Sequence, residues 1–213
     1  MTGRLFDISL GMQFDLTSKV VRSRIERDAL RGLLVAACLA PPCTSFSAQQ
    51  RGKLRSLPWP WSKPGLSPER QEKVRVGNLL ARSALALIRV FHRCRIPSVL
   101  EHPHASFLWH TPQVVRLRKL ASVRFIFVDH CAFGSPHRKR TGLLFGHCDH
   151  ADIEALAECR CHSSDGICDF SGERHVILLG CFLTPRSQAY PPVLLRNLSD
   201  VLLHDVLHRR TIA

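Results

Sequence analysis

Short apolar runs along the chain alternate with longer stretches in which apolar positions recur every three or four residues. A continuous apolar run bounded by turn residues fits a buried strand, and the longer period fits an amphipathic helix. On this basis "RLFDIS" (4–9), "LLVAACLA" (33–40), "PSVLE" (97–101), "VRFIFVD" (123–129), "TGLLFGH" (141–147) and "HVILLG" (175–180) are predicted strands. Helices are predicted over 17–30, where a Thr/Ser start precedes Val20, Val21, Ile25 and Leu30, and over 68–94, 112–121 and 191–208. Residues 51–68, "RGKLRSLPWPWSKPGLSP", hold four prolines and two tryptophans and are predicted as a long irregular loop. Strands alternating with helices predict an α/β fold with a mostly parallel sheet.

The 213 residues suffice for one well-packed α/β domain, or a domain with an appendage. The texture changes near residue 147, where cysteine and histidine become dense, so 1–146 is predicted as the core and 147–213 as a small Cys/His-rich C-terminal appendage. No internal repeat is visible.

The formal charge is +13, and only six of the thirty basic residues are lysine. An arginine excess suits a polyanionic partner, since the guanidinium fork matches phosphate. The basic residues are spread along the chain, however, so charge alone also fits general solubility. No apolar run is long enough to span a bilayer, and the first residues lack the pattern of a secretory signal. Nine cysteines, an odd number, favour reduced thiols or a metal site over a disulfide framework. An intracellular protein, nuclear or cytoplasmic, with no membrane partner is the expectation.

Ligands of open α/β sheets bind beyond the carboxyl ends of the strands, so residues just after strands are the ones to compare. Pro41 and Pro42 stop the run that ends at Ala40 and leave Cys43 at a strand end. Glu101 closes "SVLE", Asp15 precedes the first predicted helix, and Arg138 and Arg140 lie in "GSPHRKRT" beside the last strong strand. A lone cysteine in such a place is as readily a packing residue as a nucleophile. Glu101 could equally cap the turn before Pro103, and the arginines could belong to a solvated basic turn.

Taken together, "PPCTSFS", "LEHP" and "FGSPHRKRTGLLF" resemble, in order and spacing, the core motifs of the C5 cytosine-specific DNA methyltransferases, over roughly residues 5–146. The closest likeness is to short, divergent members from mobile elements and protists. The resemblance implies a Rossmann-like, class I S-adenosylmethionine-dependent methyltransferase core. It makes Cys43 the thiolate that adds to cytosine C6, and Glu101 the carboxyl that meets N3 and the exocyclic amine. Arg138 and Arg140 become the guanidinium pair that reads O2 and steadies the catalytic loop. DNA is the implied partner, with the target base flipped out of the helix. The chain departs from the pattern at His102, where asparagine is usual, and in lacking the glutamine before Arg138.

For the cofactor, the resemblance assigns Asp7 to the ribose hydroxyls, Asp15 to the adenine amine, and Pro41 to the wall of the S-adenosylmethionine site. The glycine-rich loop that normally cradles the methionine end is not in the sequence, and the family's first strand and helix are expected to be missing from this chain.

In "CRCHSSDGICDFSGERH", Cys159, Cys161, Cys168 and His175 offer four soft ligands for a structural zinc, with His147, Cys148 and His150 upstream. The spacing is not that of a standard finger, and reduced, partly buried thiols are the plainer reading. Three functional classes therefore stand: a DNA cytosine-5 methyltransferase-like protein, a nucleic-acid-binding mobile-element remnant without chemistry, and a small zinc-stapled interaction protein.

Overall fold

The computed structural model of the chain describes residues 11–48, 53–177 and 189–211, with side chains in the last helix as far as His204. Four strands form one sheet: β1 (Ala37–Leu39), β2 (Ser98–Pro103), β3 (Val123–Asp129) and β4 (Arg140–Gly146), in the order β1-β2-β4-β3. The helices are α1 (Lys19–Leu30), α2 (Pro68–Arg93), α3 (Pro112–Leu117), α4 (His150–Ala157) and α5 (Pro192–Thr211). The predicted strand at 4–9, with Asp7, lies outside the described residues. In "HVILLG", His175 to Ile177 are not in a strand and the remainder lies outside the described residues.

The sheet is mixed, which corrects the expectation of a mostly parallel one. β1 and β2 are parallel, but β4 inserts between β2 and β3 and runs antiparallel to both. The reason lies in the link. Residues 130–139 join β3 to β4 and hold only a 3-10 turn at His130–Phe133, too little chain for a helical crossover, so β4 must fold back.

Side chains of one strand alternate between two covered faces. On one, Leu100, Val123 and Leu144 meet Val21 and Ile25 of α1, Leu85, Ile88 and Phe91 of α2, and Val114 of α3. On the other, Val99, Val128, Leu143 and Phe145 meet Ile153 and Leu156 of α4 and Leu194, Leu198 and Val201 of α5. The second face is thus covered by elements from residues 147–213. No helix among the described residues is long and apolar enough to cross a membrane.

The Pro/Trp loop is irregular, as its prolines demand, yet it is built around a buried cation. Arg55 is fully buried and, among the described residues, its hydrogen bonds go to no carboxylate. Its Nε donates to the Ser45 carbonyl at 2.9 Å, Nη2 to the Ser45 hydroxyl at 2.8 Å, and Nη1 to the carbonyls of Pro60 and Trp61 and to Asn78 Oδ1 of α2. The guanidinium lies 3.6 Å over the Phe46 ring. Burial lowers its pKa to about 10, and the ring of carbonyl acceptors is what makes a buried guanidinium tolerable.

Candidate functional site

Cys43 is set by the two prolines that end β1 and by the turn it opens. Its carbonyl accepts from the N–H groups of Phe46 and Ser47, at 2.9 and 3.0 Å. Phe46 is fully buried and its carbonyl accepts from Phe107 N–H, while Ser47 bridges to Ser106, so the turn is fastened to the chain just after β2. Glu101 is on β2 itself, whose parallel register with β1 pairs Leu39 with Leu100. Neighbouring parallel strands therefore bring the thiol and the carboxyl together, although Glu101 does not close its strand as expected: β2 continues through His102 to Pro103.

The electrostatics agree with the proximity. Burial is the main cause that raises the Cys43 pKa above the ordinary thiol value, and the Glu101 carboxylate adds to it while Lys139 opposes it. Glu101, 6% exposed, has its own pKa raised by burial; a hydrogen bond from Tyr190 and the charge of Lys139 pull the other way. Desolvation disfavours the charged forms of both groups. The Lys139 ammonium stands 5.8 Å from the Tyr190 ring centre. Burial and Glu101 push the Tyr190 phenol well above its usual range, so it stays protonated and donates to Glu101.

Alternation along β2 places His102 on the opposite face from Glu101. Its ring is fully buried, edge-on to Phe46 and Trp109 at 5.8 and 6.1 Å. Burial lowers its pKa to about 3, with a backbone contact to Pro42 opposing and the charges of Arg55 and Lys139 adding. His102 is thus a neutral packing ring beneath the Cys43 turn.

The two arginines look elsewhere. Arg140 holds Asp129, at the end of β3, through Nε to Oδ1 at 3.0 Å and Nη2 to Oδ2 at 2.7 Å, and also reaches the Cys161 carbonyl at 3.2 Å. Arg138 donates to the carbonyls of Ser163 and Cys161. Both guanidinium groups therefore bind the Cys/His segment to the sheet. Asp15 gives both carboxylate oxygens to Thr17, one to its N–H and one to its hydroxyl, at 2.8 Å each, in the turn that opens α1. Pro41 is half-buried at the end of β1. Asp7 lies outside the described residues, so these groups do not assemble an S-adenosylmethionine cradle among the described residues.

The Cys/His segment contains a cluster that could hold a metal ion, with a membership different from the predicted one. Cys131, Cys161, Cys168 and His175 bring their ligand atoms within 4.8 Å of one another. Cys159 is not among them: it packs against the apolar cluster under α4 and α5, and its carbonyl accepts from Asp129 N–H at 2.9 Å. Cys131 comes instead from the turn after β3, which Gly134 closes at φ 83°.

A cleft of about 570 Å³ is lined by Lys53, Lys63 and Arg118 together with Phe107, Phe125 and Phe127; the register sets Phe125 and Phe127 on the His102 face of the sheet, opposite Glu101. Sequence reasoning missed Lys139, Tyr190, Asp129 and Cys131. Tyr190 carried one signal, being the single tyrosine of the chain and lying directly before Pro191 and Pro192. Compared with family models, with curated proteins and with solved structures, the chain matches none.

Proposed function

We propose that Cys43 and Glu101 form a pyrimidine-addition site of the cytosine C5 methyltransferase type, acting on a base in DNA. One observation carries the reading: neighbouring parallel strands bring the two residues together, Cys43 in the turn after β1 and Glu101 within β2, and the carboxyl is close enough to raise the pKa of the thiol. The Cys43 thiolate adds to C6 of cytosine, and the electron pair displaced from the C5–C6 bond leaves C5 enamine-like. Glu101, whose pKa burial raises above the ordinary carboxylate value, exchanges a proton or hydrogen bond with N3 as charge builds there. C5 then takes the methyl group or a proton, and loss of the original C5 hydrogen as a proton, with elimination of the thiolate, restores the ring. In this reading the Rossmann-like descent of the sheet and the use of S-adenosylmethionine as methyl donor rest on the resemblance alone.

Reversible addition lets C5 exchange its hydrogen with water, whether or not a methyl donor is present. Release of tritium from DNA whose cytosines are tritiated at C5, abolished in Cys43→Ser, is the expected result. A second reading, nucleic-acid binding without chemistry, is favoured by the engagement of the Asp15 carboxylate with Thr17. Salt-sensitive DNA binding with no tritium release from the folded protein would select it and overturn the first.

A further inference from the structure

We propose that Cys131, Cys161, Cys168 and His175 bind one zinc ion, and that this ion fastens residues 159–176 to the turn between β3 and β4. The site joins a cysteine of the sheet to three ligands of the Cys/His segment. It thus differs from a finger closed within its own short stretch.

Geometry comes first. Tetrahedral zinc, with Zn–S near 2.3 Å and Zn–N near 2.0 Å, places its ligand atoms roughly 3.5 to 3.8 Å apart. Cys161 Sγ and His175 Nε2 are 3.7 Å apart, and all four ligand atoms lie within 4.8 Å. The set has room for one ion and none for a multinuclear cluster. Cys131, Cys161 and Cys168 are 3%, 0% and 4% exposed and form a cluster of their own, separate from both apolar cores. All three are free thiols, and apolar packing of sulfur gives no reason for an imidazole nitrogen to be turned into the group.

The backbone around the ligands is arranged as a closed metal site requires. Residues 166–175 form a tight turn back on themselves: Ile167 bridges to Arg174, Cys168 N–H donates to the Glu173 carbonyl at 2.7 Å, and His175 N–H to the Gly166 carbonyl at 2.8 Å. This closure is what brings Cys168 and His175 to the same point. The N–H groups of Phe170 and Ser171 and the Ser171 hydroxyl are directed at the Cys168 sulfur, donors suited to a metal-bound thiolate. Three buried thiolates and one half-buried imidazole are the ligand set of a structural zinc site.

The surrounding bonds define what the ion would hold. Cys161 N–H donates to Asp129 Oδ2 at 2.9 Å, while the Cys161 carbonyl accepts from both Arg138 and Arg140. Val176 N–H donates to the Pro136 carbonyl at 2.9 Å. The metal thus anchors the strand-end loop that carries Lys139.

Elemental analysis of purified full-length protein is expected to give about one zinc per chain. Cys131→Ser should lose it and Cys159→Ser should keep it. Cobalt exchanged into the wild-type protein should show the intense visible absorption of a tetrahedral thiolate site, a readout that needs no variant to fold. Folded protein that carries no zinc and takes up neither zinc nor cobalt would overturn the proposal. So would zinc lost in Cys159→Ser but retained in Cys131→Ser, or a weak octahedral cobalt spectrum.

Discussion

Arg140 grips the fully buried carboxylate of Asp129 by both oxygens, Nε on Oδ1 at 3.0 Å and Nη2 on Oδ2 at 2.7 Å. The two residues face each other in the β3–β4 register, at the end of the sheet where the Cys/His segment docks. The pair therefore joins three parts of the molecule: β3, β4 and the loop around Cys161.

Removing one partner of a buried charge pair costs more than removing both, because the survivor is left without compensation. Arg140→Met should destabilise the fold by about 3 kcal/mol, read from denaturant melts. Asp129→Asn combined with Arg140→Met should recover part of the loss. A strictly additive double mutant would mean the two residues do not act as a pair.

Gly77 is in the middle of α2, where alanine would ordinarily be preferred by about 1 kcal/mol. A Cβ there, however, would come within 2.1 Å of the Ser45 hydroxyl and 3.3 Å of Arg55 Nη2. Gly77→Ala should therefore destabilise, by about 1 to 3 kcal/mol. The Ser45→Ala background should soften that loss, as thermal melts of the four proteins would report.

His102 makes stability pH-dependent with a definite sign. Its folded pKa, about 3, is below the ordinary 6.5. The neutral ring is favoured in the fold, so this contribution is complete above pH 6.5 and is lost as the pH falls toward 3. The loss at the acid end is a few kcal/mol at most, since each tenfold change in proton affinity is worth about 1.4 kcal/mol. His102→Phe keeps a ring of similar shape against Phe46 and Trp109 and should show a shallower fall in unfolding free energy between pH 7 and 5 than the wild type.

Burial, helped by the Glu101 carboxylate, favours the protonated Cys43 thiol. Near neutral pH the Cys43 thiol should alkylate more slowly than a reference peptide thiol, with the rate climbing as the pH passes the ordinary thiol range. Glu101→Gln removes the negative charge and should speed labelling of Cys43 near pH 8. Peptide-resolved mass spectrometry separates this site from the exposed Cys38. An unchanged rate in Glu101→Gln would mean the two groups are not coupled.

Much of this arrangement was legible from local pattern. "VRFIFVD" is β3 residue for residue, and α2 runs from Pro68 almost to the predicted end, because proline at the first turn and an unbroken helical period leave few alternatives. Cys43 could be placed beyond β1 because two prolines end that run, whereas Glu101 is inside β2, which continues to Pro103. The direction of β4 was not legible from its own composition: it follows from the shortness of the 130–139 link. α4 is short and lies amid the cysteines and histidines, so its period was lost among them.

Long-range partners were the hardest to read. Cys131 precedes its companions in the metal cluster by thirty residues, and nothing local distinguishes it from a packing cysteine. Cys159 had the better sequence credentials and the wrong place. Arg138 and Arg140 read as a guanidinium pair for a bound base or as a solvated basic turn, whereas the docking of Cys161 and Ser163 onto them, and of Asp129 onto Arg140, is a property of the folded chain.

The central claim, that Cys43 is placed to attack a pyrimidine, is tested most directly by covalent capture. An oligonucleotide carrying 5-azacytosine presents an activated C6 without requiring a methyl donor. Full-length protein incubated with it is expected to gain the mass of one oligonucleotide, mapped to the peptide containing Cys43. The adduct should disappear in Cys43→Ser and survive in Cys38→Ser. Folded, DNA-binding protein that forms no adduct, or one whose adduct maps to Cys38, would contradict the account.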